Sequence, residues 1–398
     1  ASYAIMYTLT YDPVNIDQLV QVRNEFGHTI NLAYDAQGRL STMIDPNGGV
    51  YQYGYNSSDD LTSVTHPDGT VRQYVYNELA YTANIAQEHM LTGIIDENGV
   101  RYANFGYNAD GLAIMTEHAG GVDRVQVSYD TPPQLSESVW IDVDNHVKYV
   151  THYYSAPSGV VATNGLGATQ SYSFASINGI IKTTGAGQPC SGLGCVHHAM
   201  AQQYDTNGNI TRRVDYKYNY SCYEYDLARN LETARVEGFA LPLSTCPSNL
   251  ANYTLAANTR QRKVVTTWHP TFRTPISIVA KDRTTIFTHD ANGNVLTKTV
   301  TDTSVTPNVS RTWTYTYNGL SQMLSEDGPR TDVSDLTTYT YYSCSFGNQC
   351  GQIETMTNAL SQLTSYNSYN AHGQPTQITD SNNVVSTLGY DLRQRLTD

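Results

Sequence analysis

Large apolar or aromatic residues alternate with small polar residues along much of this chain. Tyr51, Tyr53 and Tyr55 are separated by single residues such as Gln52, so the large side chains recur at every second position. A period of two places them on one face of a β-strand and the polar side chains on the other. The same alternation occurs in two further runs: Ile30, Leu32, Tyr34 and Trp313, Tyr315, Tyr317. The pattern predicts an all-β protein.

Turn-forming residues interrupt these strands at regular intervals. Tyr34, Tyr55 and Tyr76 follow one another at 21-residue spacing, and each is followed by Asp or Asn. A second turn lies midway between them, as in Asp45-Pro46-Asn47-Gly48, where proline fixes its own φ and Asn-Gly tolerates positive φ. Each unit therefore predicts one β-hairpin, and the repeat predicts consecutive hairpins in a long antiparallel sheet. Because twist accumulates in long sheets, we expect a curved or spiralling sheet, as in a partial shell or tube.

Tyrosine dominates the large side chains, with 32 Tyr against 7 Phe and 3 Trp. A tyrosine ring is apolar but its hydroxyl needs a partner or water. We interpret the rings as a ladder that replaces a conventional core in a single-layer sheet, with no redox or ligand role. The repeat tyrosines defined by the motif are Tyr34, Tyr55, Tyr76, Tyr107, Tyr204, Tyr225, Tyr317, Tyr369 and Tyr390.

The repeats extend over most of the chain, with two interruptions. They are regular at about 20–112, 201–245 and 289–398, whereas about 113–200 and 246–288 resemble loop-rich insertions. Because the same pattern lies on both sides of each insertion, we expect residues 1–398 to form one repeat region. The chain also begins within a strand pattern, without a basic region or signal-like core, which we interpret as a piece of a longer precursor.

Composition and charge limit the possible partners. Charged residues are 15% of the chain and the net charge is −13, which disfavours nucleic acid and anionic membranes because both need clustered Lys and Arg. No apolar run approaches the length of a membrane-spanning segment, so we predict no membrane span.

Six cysteines predict three structural disulfides. Two pairs, Cys190–Cys195 and Cys344–Cys350, are close in sequence, which leaves Cys222–Cys246 by elimination. An even count with close pairing indicates an oxidising compartment and therefore export, and the alternative is six reduced thiols.

No residue pattern indicates catalysis, a cofactor or a metal site. His197 and His198 are adjacent and would point to opposite faces of a strand, so they would not bind one metal together. The repeated carboxylates are expected to accept backbone N–H groups in their own turns rather than to act in catalysis. These carboxylates are Asp35, Asp205, Asp226 and Asp391.

The motifs "YDAQGRL", "YDTNGNI" and "YDLRQRL" resemble the YD repeats of bacterial RHS-repeat proteins, which also occur in animal teneurins. The resemblance implies a strip of β-hairpins that forms a hollow shell, which in family members often encloses a C-terminal toxin. The terminal segment that releases such a cargo is not found in this sequence.

These observations predict a structural shell segment of a secreted or cell-surface bacterial protein, which is not an enzyme. The alternative is a self-assembling extracellular filament or adhesin built from the same repeats. Because the first and last strands of such a sheet expose unpaired edges, the expected partners are further RHS-repeat segments or copies of the chain.

Overall fold

A computed structural model describes residues 7–129, 135–141, 147–154, 158–189, 199–239, 245–257, 259–344 and 347–397. The predictions for Cys190, Cys195, His197 and His198 lie outside the described residues. Within them the chain forms 31 β-strands and four short 3₁₀ helices, and 29 of the strands belong to one sheet. The all-β prediction is confirmed.

The strands follow one another with short connections. The first nine are β1 Tyr7–Tyr11, β2 Leu19–Asn24, β3 Thr29–Tyr34, β4 Leu40–Ile44, β5 Val50–Tyr55, β6 Leu61–Thr65, β7 Val71–Tyr76, β8 Leu91–Ile95 and β9 Arg101–Tyr107. The next thirteen are β10 Ala113–His118, β11 Val122–Tyr129, β12 Leu135–Ile141, β13 Val147–Tyr154, β14 Gly159–Asn164, β15 Thr169–Ile177, β16 Ile180–Gly187, β17 Ala199–Tyr204, β18 Ile210–Val214, β19 Tyr220–Asp226, β20 Leu231–Phe239, β21 Arg262–Trp268 and β22 Pro275–Ala280. The last nine are β23 Arg283–His289, β24 Val295–Asp302, β25 Val309–Tyr317, β26 Met323–Asp327, β27 Thr337–Tyr341, β28 Ile353–Thr357, β29 Leu363–Tyr369, β30 Pro375–Thr379 and β31 Val385–Thr387. The 3₁₀ helices are Leu79–Tyr81, Ala119–Gly121, Leu250–Asn252 and Gly347–Gln349.

Consecutive strands pair in antiparallel fashion, as the hairpin repeat predicts. In the β4–β5 hairpin Met43 lies opposite Tyr51, and in the β6–β7 hairpin Val64 lies opposite Arg72. Between hairpins the register shifts by one residue next to the repeat tyrosine, for example between Gly54 and Tyr55. Such a bulge bends the strand locally where it enters the Tyr-Asx turn. The consecutive-hairpin prediction is confirmed.

The contacts between residues divide the chain into two compact units. Unit 1 contains residues 1–80, 86–102 and 285–398, and unit 2 contains residues 81–85 and 103–284. β12 and β13 form a hairpin apart from the large sheet. The single-region organisation and its boundaries stay predictions.

The regular hairpins of unit 1 form a thin sheet with little buried volume. From Leu19 to Tyr76 only Asp45 is buried. Tyr53 is half-buried on the tyrosine face, and this burial raises the pKa of its hydroxyl, while Gln52 on the opposite face is exposed. The alternation predicted from the sequence therefore separates the two faces of the sheet.

Threonine and serine hydroxyls line the face opposite the aromatic rings between β24 and β28. They form hydrogen bonds across strands in which two uncharged hydroxyls satisfy each other. The pairs are Thr299–Thr312 at 2.9 Å, Thr316–Ser325 at 2.6 Å and Thr340–Thr355 at 2.8 Å.

Unit 2 contains a cluster of fully buried apolar side chains. The chain after β20 returns as a short irregular segment, and its Leu250 is buried against one face of β18–β20. The buried cluster consists of Val214, Tyr220, Cys222, Ala234, Val236, Phe239 and Leu250. Leu250 is fixed there because its backbone N–H donates to the Glu224 carboxylate at 2.9 Å.

Candidate functional site

The repeat tyrosines form a hydrogen bond that closes the open end of each hairpin. The hydroxyl of Tyr34, at the end of β3, donates to the backbone carbonyl of Leu19, the first residue of β2, at 3.0 Å. Tyr55 donates in the same way to Leu40, the first residue of β4, at 2.8 Å. We call this arrangement the tyrosine clasp. It satisfies the polar end of a half-buried ring and joins two neighbouring strands.

The clasp recurs at other predicted tyrosines. Further donor–acceptor pairs are Tyr76–Leu61 at 3.0 Å, Tyr369–Ile353 at 2.7 Å and Tyr390–Pro375 at 3.0 Å, and Tyr204 donates to Thr183 within β16 at 2.6 Å. The remaining predicted tyrosines are Tyr107, Tyr225 and Tyr317. Burial raises the pKa of each of these three hydroxyls, to about 12 for Tyr225.

Two clasps were missed from the sequence. Tyr129 donates to Ala113 at 2.7 Å, and Tyr341 donates to Met323 at 2.7 Å. Tyr129 is followed by Asp130, so the Tyr-Asp motif could have identified it. Tyr341 is followed by Tyr342 rather than by Asp or Asn, so the motif does not identify it.

The carboxylates after the tyrosines hold their own turns. Asp35 accepts the backbone N–H groups of Gln37 and Arg39, both at 2.9 Å, and the Arg39 N–H contributes most to a lowered pKa of the Asp35 carboxyl. Equivalent bonds reach Asp205 from Asn207, Asp226 from Ala228 and Asp391 from Arg395. These carboxylates therefore accept hydrogen bonds from backbone N–H groups of their own turns, as expected of Asx turns.

Turns that are far apart in sequence meet within unit 1. Asp45 lies 3.1 Å from His372 Nε2, although 327 residues separate them. Glu97 accepts a hydrogen bond from Arg393, 296 residues away, at 2.9 Å, and lies 3.2 Å from His66 Nε2. These five residues, here called the turn cluster, are all less than a quarter exposed.

The electrostatics of the turn cluster favour an ionised Glu97. Its own backbone N–H and the nearby Arg72 and Arg393 guanidinium groups lower the pKa of the Glu97 carboxyl to about 2, although burial opposes the shift. Arg72 Nε lies 3.3 Å from the same carboxylate. A carboxylate held between two arginines joins the early hairpins of unit 1 to its last turns.

A close approach elsewhere in unit 1 requires glycine. Gly351 has φ of +72°, and a Cβ atom at this position would clash with the Phe26 ring. A residue with a side chain would therefore meet both backbone strain and an aromatic ring. Gly351 directly follows Cys350, whose disulfide ties the same loop.

Four of the six cysteines lie within the described residues, and the structure brings them together in two pairs. Cys222 and Cys246 are linked with a Cα–Cα distance of 5.7 Å, and Cys344 and Cys350 with 4.2 Å. The first disulfide attaches the irregular segment of unit 2 to β19, at the buried apolar cluster.

The acidic side chains that line the cavity in unit 1 have structural uses. A cavity of about 670 Å³ in unit 1 is lined by Asp12 and Asp35, but both carboxylates accept backbone N–H groups of their own turns. Among the described residues no group of three or more His, Cys, Asp or Glu side chains is placed to hold a metal ion. The described part of the chain has no helix with the length and apolarity needed to cross a bilayer.

The sequence profile of the family described as RHS Repeat matches residues 11–50 and 369–398. These segments contain the clasp tyrosines Tyr34, Tyr369 and Tyr390 and their Asx turns. These two segments of the chain are RHS repeats. No curated protein is significantly similar to it in sequence.

The comparison with solved structures finds one match with a TM-score above 0.5 and further, weaker matches among those named here. The crystal structure of TcdB2-TccC3-TEV matches 98% of the chain at 11% identity with a TM-score of 0.57, and the match covers 19% of that chain. The crystal structure of TcdB2-TccC3 matches 98% of the chain and 27% of its own at 12% identity, with a TM-score of 0.36. The Photorhabdus luminescens Tc holotoxin pore matches 98% and 22% at 14% identity, with a TM-score of 0.27. The chain thus spans 19 to 27% of the length of these matched chains.

Proposed function

We propose that this chain is a shell segment of a secreted or cell-surface bacterial RHS protein and has no catalytic activity of its own. The observation that carries the proposal is the turn cluster, in which turns separated by about 300 residues are joined by Glu97, His66 and Arg393 and by the Asp45–His372 pair. Contacts of this kind are useful in a wall, because they hold one part of a long sheet against another. The clasp tyrosines and the turn carboxylates described above serve hairpin closure and turns, which also supports a structural role.

The proposed partner is further RHS-repeat sequence, and the proposed cargo is a C-terminal toxin enclosed by the completed shell. The shared fold with TcdB2-TccC3-TEV supports a shell but not a particular cargo. The two disulfides support the secreted location, because disulfides persist in oxidising compartments.

The test of location is the redox state of the protein recovered from its native source. We expect it in the extracellular or surface fraction, with Cys222 joined to Cys246 in peptides mapped without reduction. Recovery from the cytoplasm with free thiols at both positions would contradict export. For the shell role, we expect electron microscopy of the protein joined to its neighbouring repeats to show a closed wall, and an open or extended particle would contradict it.

A self-assembling filament or adhesin is the second candidate, and one observation favours it. The side chains of Tyr7, Leu9 and Tyr11 in the edge strand β1 are all about half exposed or more. Exposed edges promote pairing with other chains. Regular filaments formed by the purified chain would support this candidate over the shell segment.

A further inference from the structure

Tyr11 has the sequence and turn of a clasp tyrosine. It ends β1 and is followed by Asp12, whose carboxylate accepts the backbone N–H groups of Val14 at 2.8 Å and Asn15 at 2.7 Å. In the complete clasps, the tyrosine at the end of one strand donates to the first residue of the preceding strand, as Tyr55 does to Leu40. Among the described residues the Tyr11 hydroxyl has no such acceptor.

The strand that would supply this acceptor belongs on the free edge of β1. In the described part of the chain β1 pairs with β2 alone, and all five of its residues are exposed. Tyr7 is 62% exposed, Leu9 50% and Tyr11 48%, whereas the internal clasp tyrosines Tyr34 and Tyr55 are less exposed. An edge of this kind offers backbone N–H and C=O groups to an added strand.

We propose that the free edge of β1 binds the first strand of another YD hairpin, supplied by a further RHS-repeat segment, and that the Tyr11 hydroxyl donates to the backbone carbonyl of that strand's first residue. This inference rests on the proposed function, which requires additional repeats to join the chain. It adds to that function the position, direction and register of the strand that pairs with β1.

The register follows from the complete hairpins. Where Tyr55 clasps Leu40, the residue three after Leu40 lies opposite the residue four before Tyr55, as the Met43–Tyr51 pair shows. The β6–β7 hairpin, clasped by Tyr76 and Leu61, has the same register. The incoming strand is therefore antiparallel, and its fourth residue lies opposite Tyr7.

The incoming strand also has a recognisable sequence. In the complete clasps where the acceptor is the first residue of a strand, that residue is always apolar: Leu19, Leu40, Leu61, Ala113, Met323, Ile353 and Pro375. In a second copy of this chain, the strands that begin with these seven residues are already paired on both sides: β2, β4, β6, β10, β26, β28 and β30. The occupant is therefore assigned to a separate repeat segment.

A labelled peptide with the sequence of residues 38–46, which contains β4, tests the proposal on the full chain. We expect saturable binding in a fluorescence-anisotropy titration, and protection of the β1 amides from hydrogen exchange. Tyr11→Phe removes only the hydroxyl, so it should weaken peptide binding about 2- to 10-fold, the range of one hydrogen bond. Tyr34→Phe makes the same change in a clasp that is already closed, and it should leave peptide affinity unchanged.

Three results would overturn the proposal: no binding of the peptide, a scrambled peptide that binds equally well, or an affinity that Tyr11→Phe and Tyr34→Phe change to the same extent. If analytical ultracentrifugation shows oligomers that the peptide dissociates, the incoming strand comes from a second copy of the chain, and the assignment to a separate repeat segment is overturned. Failure here is distinct from failure of the proposed function. A secreted, disulfide-bonded chain that ignores the peptide contradicts only this inference, whereas a reduced cytoplasmic chain that binds it contradicts only the proposed location.

Discussion

The regular hairpins of residues 19–76 and the region of residues 214–265 stabilise the same kind of sheet in different ways. In the regular hairpins half-buried tyrosine rings cover one face, and each clasp and Asx turn adds a local hydrogen bond. In unit 2 an irregular segment folds over the sheet and completely buries apolar side chains such as Val236 and Leu250. The comparison shows that each repeat adds small, local contributions to stability, whereas one insertion adds a buried apolar core.

This difference predicts where single substitutions will matter. A buried side chain loses its packing and leaves a cavity when it is shortened, so its removal is costly. A clasp contributes the net free energy of about one hydrogen bond, which is much smaller than the cost of a core cavity. Substitutions in unit 2 should therefore lower the free energy of unfolding more than comparable substitutions in the regular hairpins.

Among the single substitutions, Leu250→Ala should have the largest effect on unfolding. Leu250 is 2% exposed within the buried cluster, so we expect a loss of about 2 to 5 kcal/mol in the free energy of unfolding. The measurement is denaturant unfolding followed by circular dichroism. Leu360→Ala, at a leucine that is 79% exposed, is the matched control and should change stability by less than about 0.5 kcal/mol. Equal losses would show that the irregular segment is not a core.

Removing the Cys222–Cys246 disulfide should come next. Loop-closure entropy predicts a loss of about 3 to 4 kcal/mol for a crosslink of sequence separation 24, and the buried position of Cys222 adds to it. The C344A/C350A variant opens a link of sequence separation 6, for which about 2 to 3 kcal/mol is expected. Thermal unfolding of the two double variants gives the ranking, and a larger loss for C344A/C350A would contradict it.

Structural features that depend only on local sequence could be predicted from it, whereas features that depend on distant residues could not. Hairpins, Asx turns and most clasps were predictable because Tyr55, Asn56 and the turn midway to Tyr76 lie within one repeat. The Tyr341 clasp was missed because no Asp or Asn follows the tyrosine. The turn cluster was not predictable, because no sequence period indicates that Asp45 lies beside His372.

The buried cluster of unit 2 was missed for a related reason. Residues around Leu250 resemble a loop-rich insertion in the sequence, since they lack the strand period. Their apolar side chains pack against residues of β18–β20 that look in sequence like any other repeat. Tertiary packing decides which face of such a strand is covered, and alternation alone does not contain that information.

Lowering the pH should weaken the turn cluster of unit 1. Because the folded-state pKa of Glu97 is lowered to about 2, its contribution is fully present above the ordinary glutamate pKa of about 4.5 and is lost as pH falls toward 2. Glu97→Gln should cost about 1 to 3 kcal/mol near neutral pH and reduce the loss of stability between pH 4.5 and 2. Denaturant unfolding across this pH range measures both effects. Glu88→Gln, at an exposed glutamate, is the control, and an identical pH profile for the two variants would contradict the assignment.

The smallest predicted effect belongs to a single clasp. Tyr55→Phe keeps the ring that covers the sheet and removes only the hydroxyl bonded to the Leu40 carbonyl at 2.8 Å. We expect a loss of about 1 kcal/mol in the free energy of unfolding, and faster hydrogen exchange at the open end of the β4–β5 hairpin. Tyr7→Phe, in the exposed strand β1, is the matched control and should be close to neutral. If Tyr55→Phe is also neutral while Tyr55→Ala is destabilising, the ring and not the clasp stabilises the hairpin. If Tyr55→Phe instead destabilises as strongly as Leu250→Ala, the regular hairpins depend on their hydrogen bonds as much as unit 2 depends on its core.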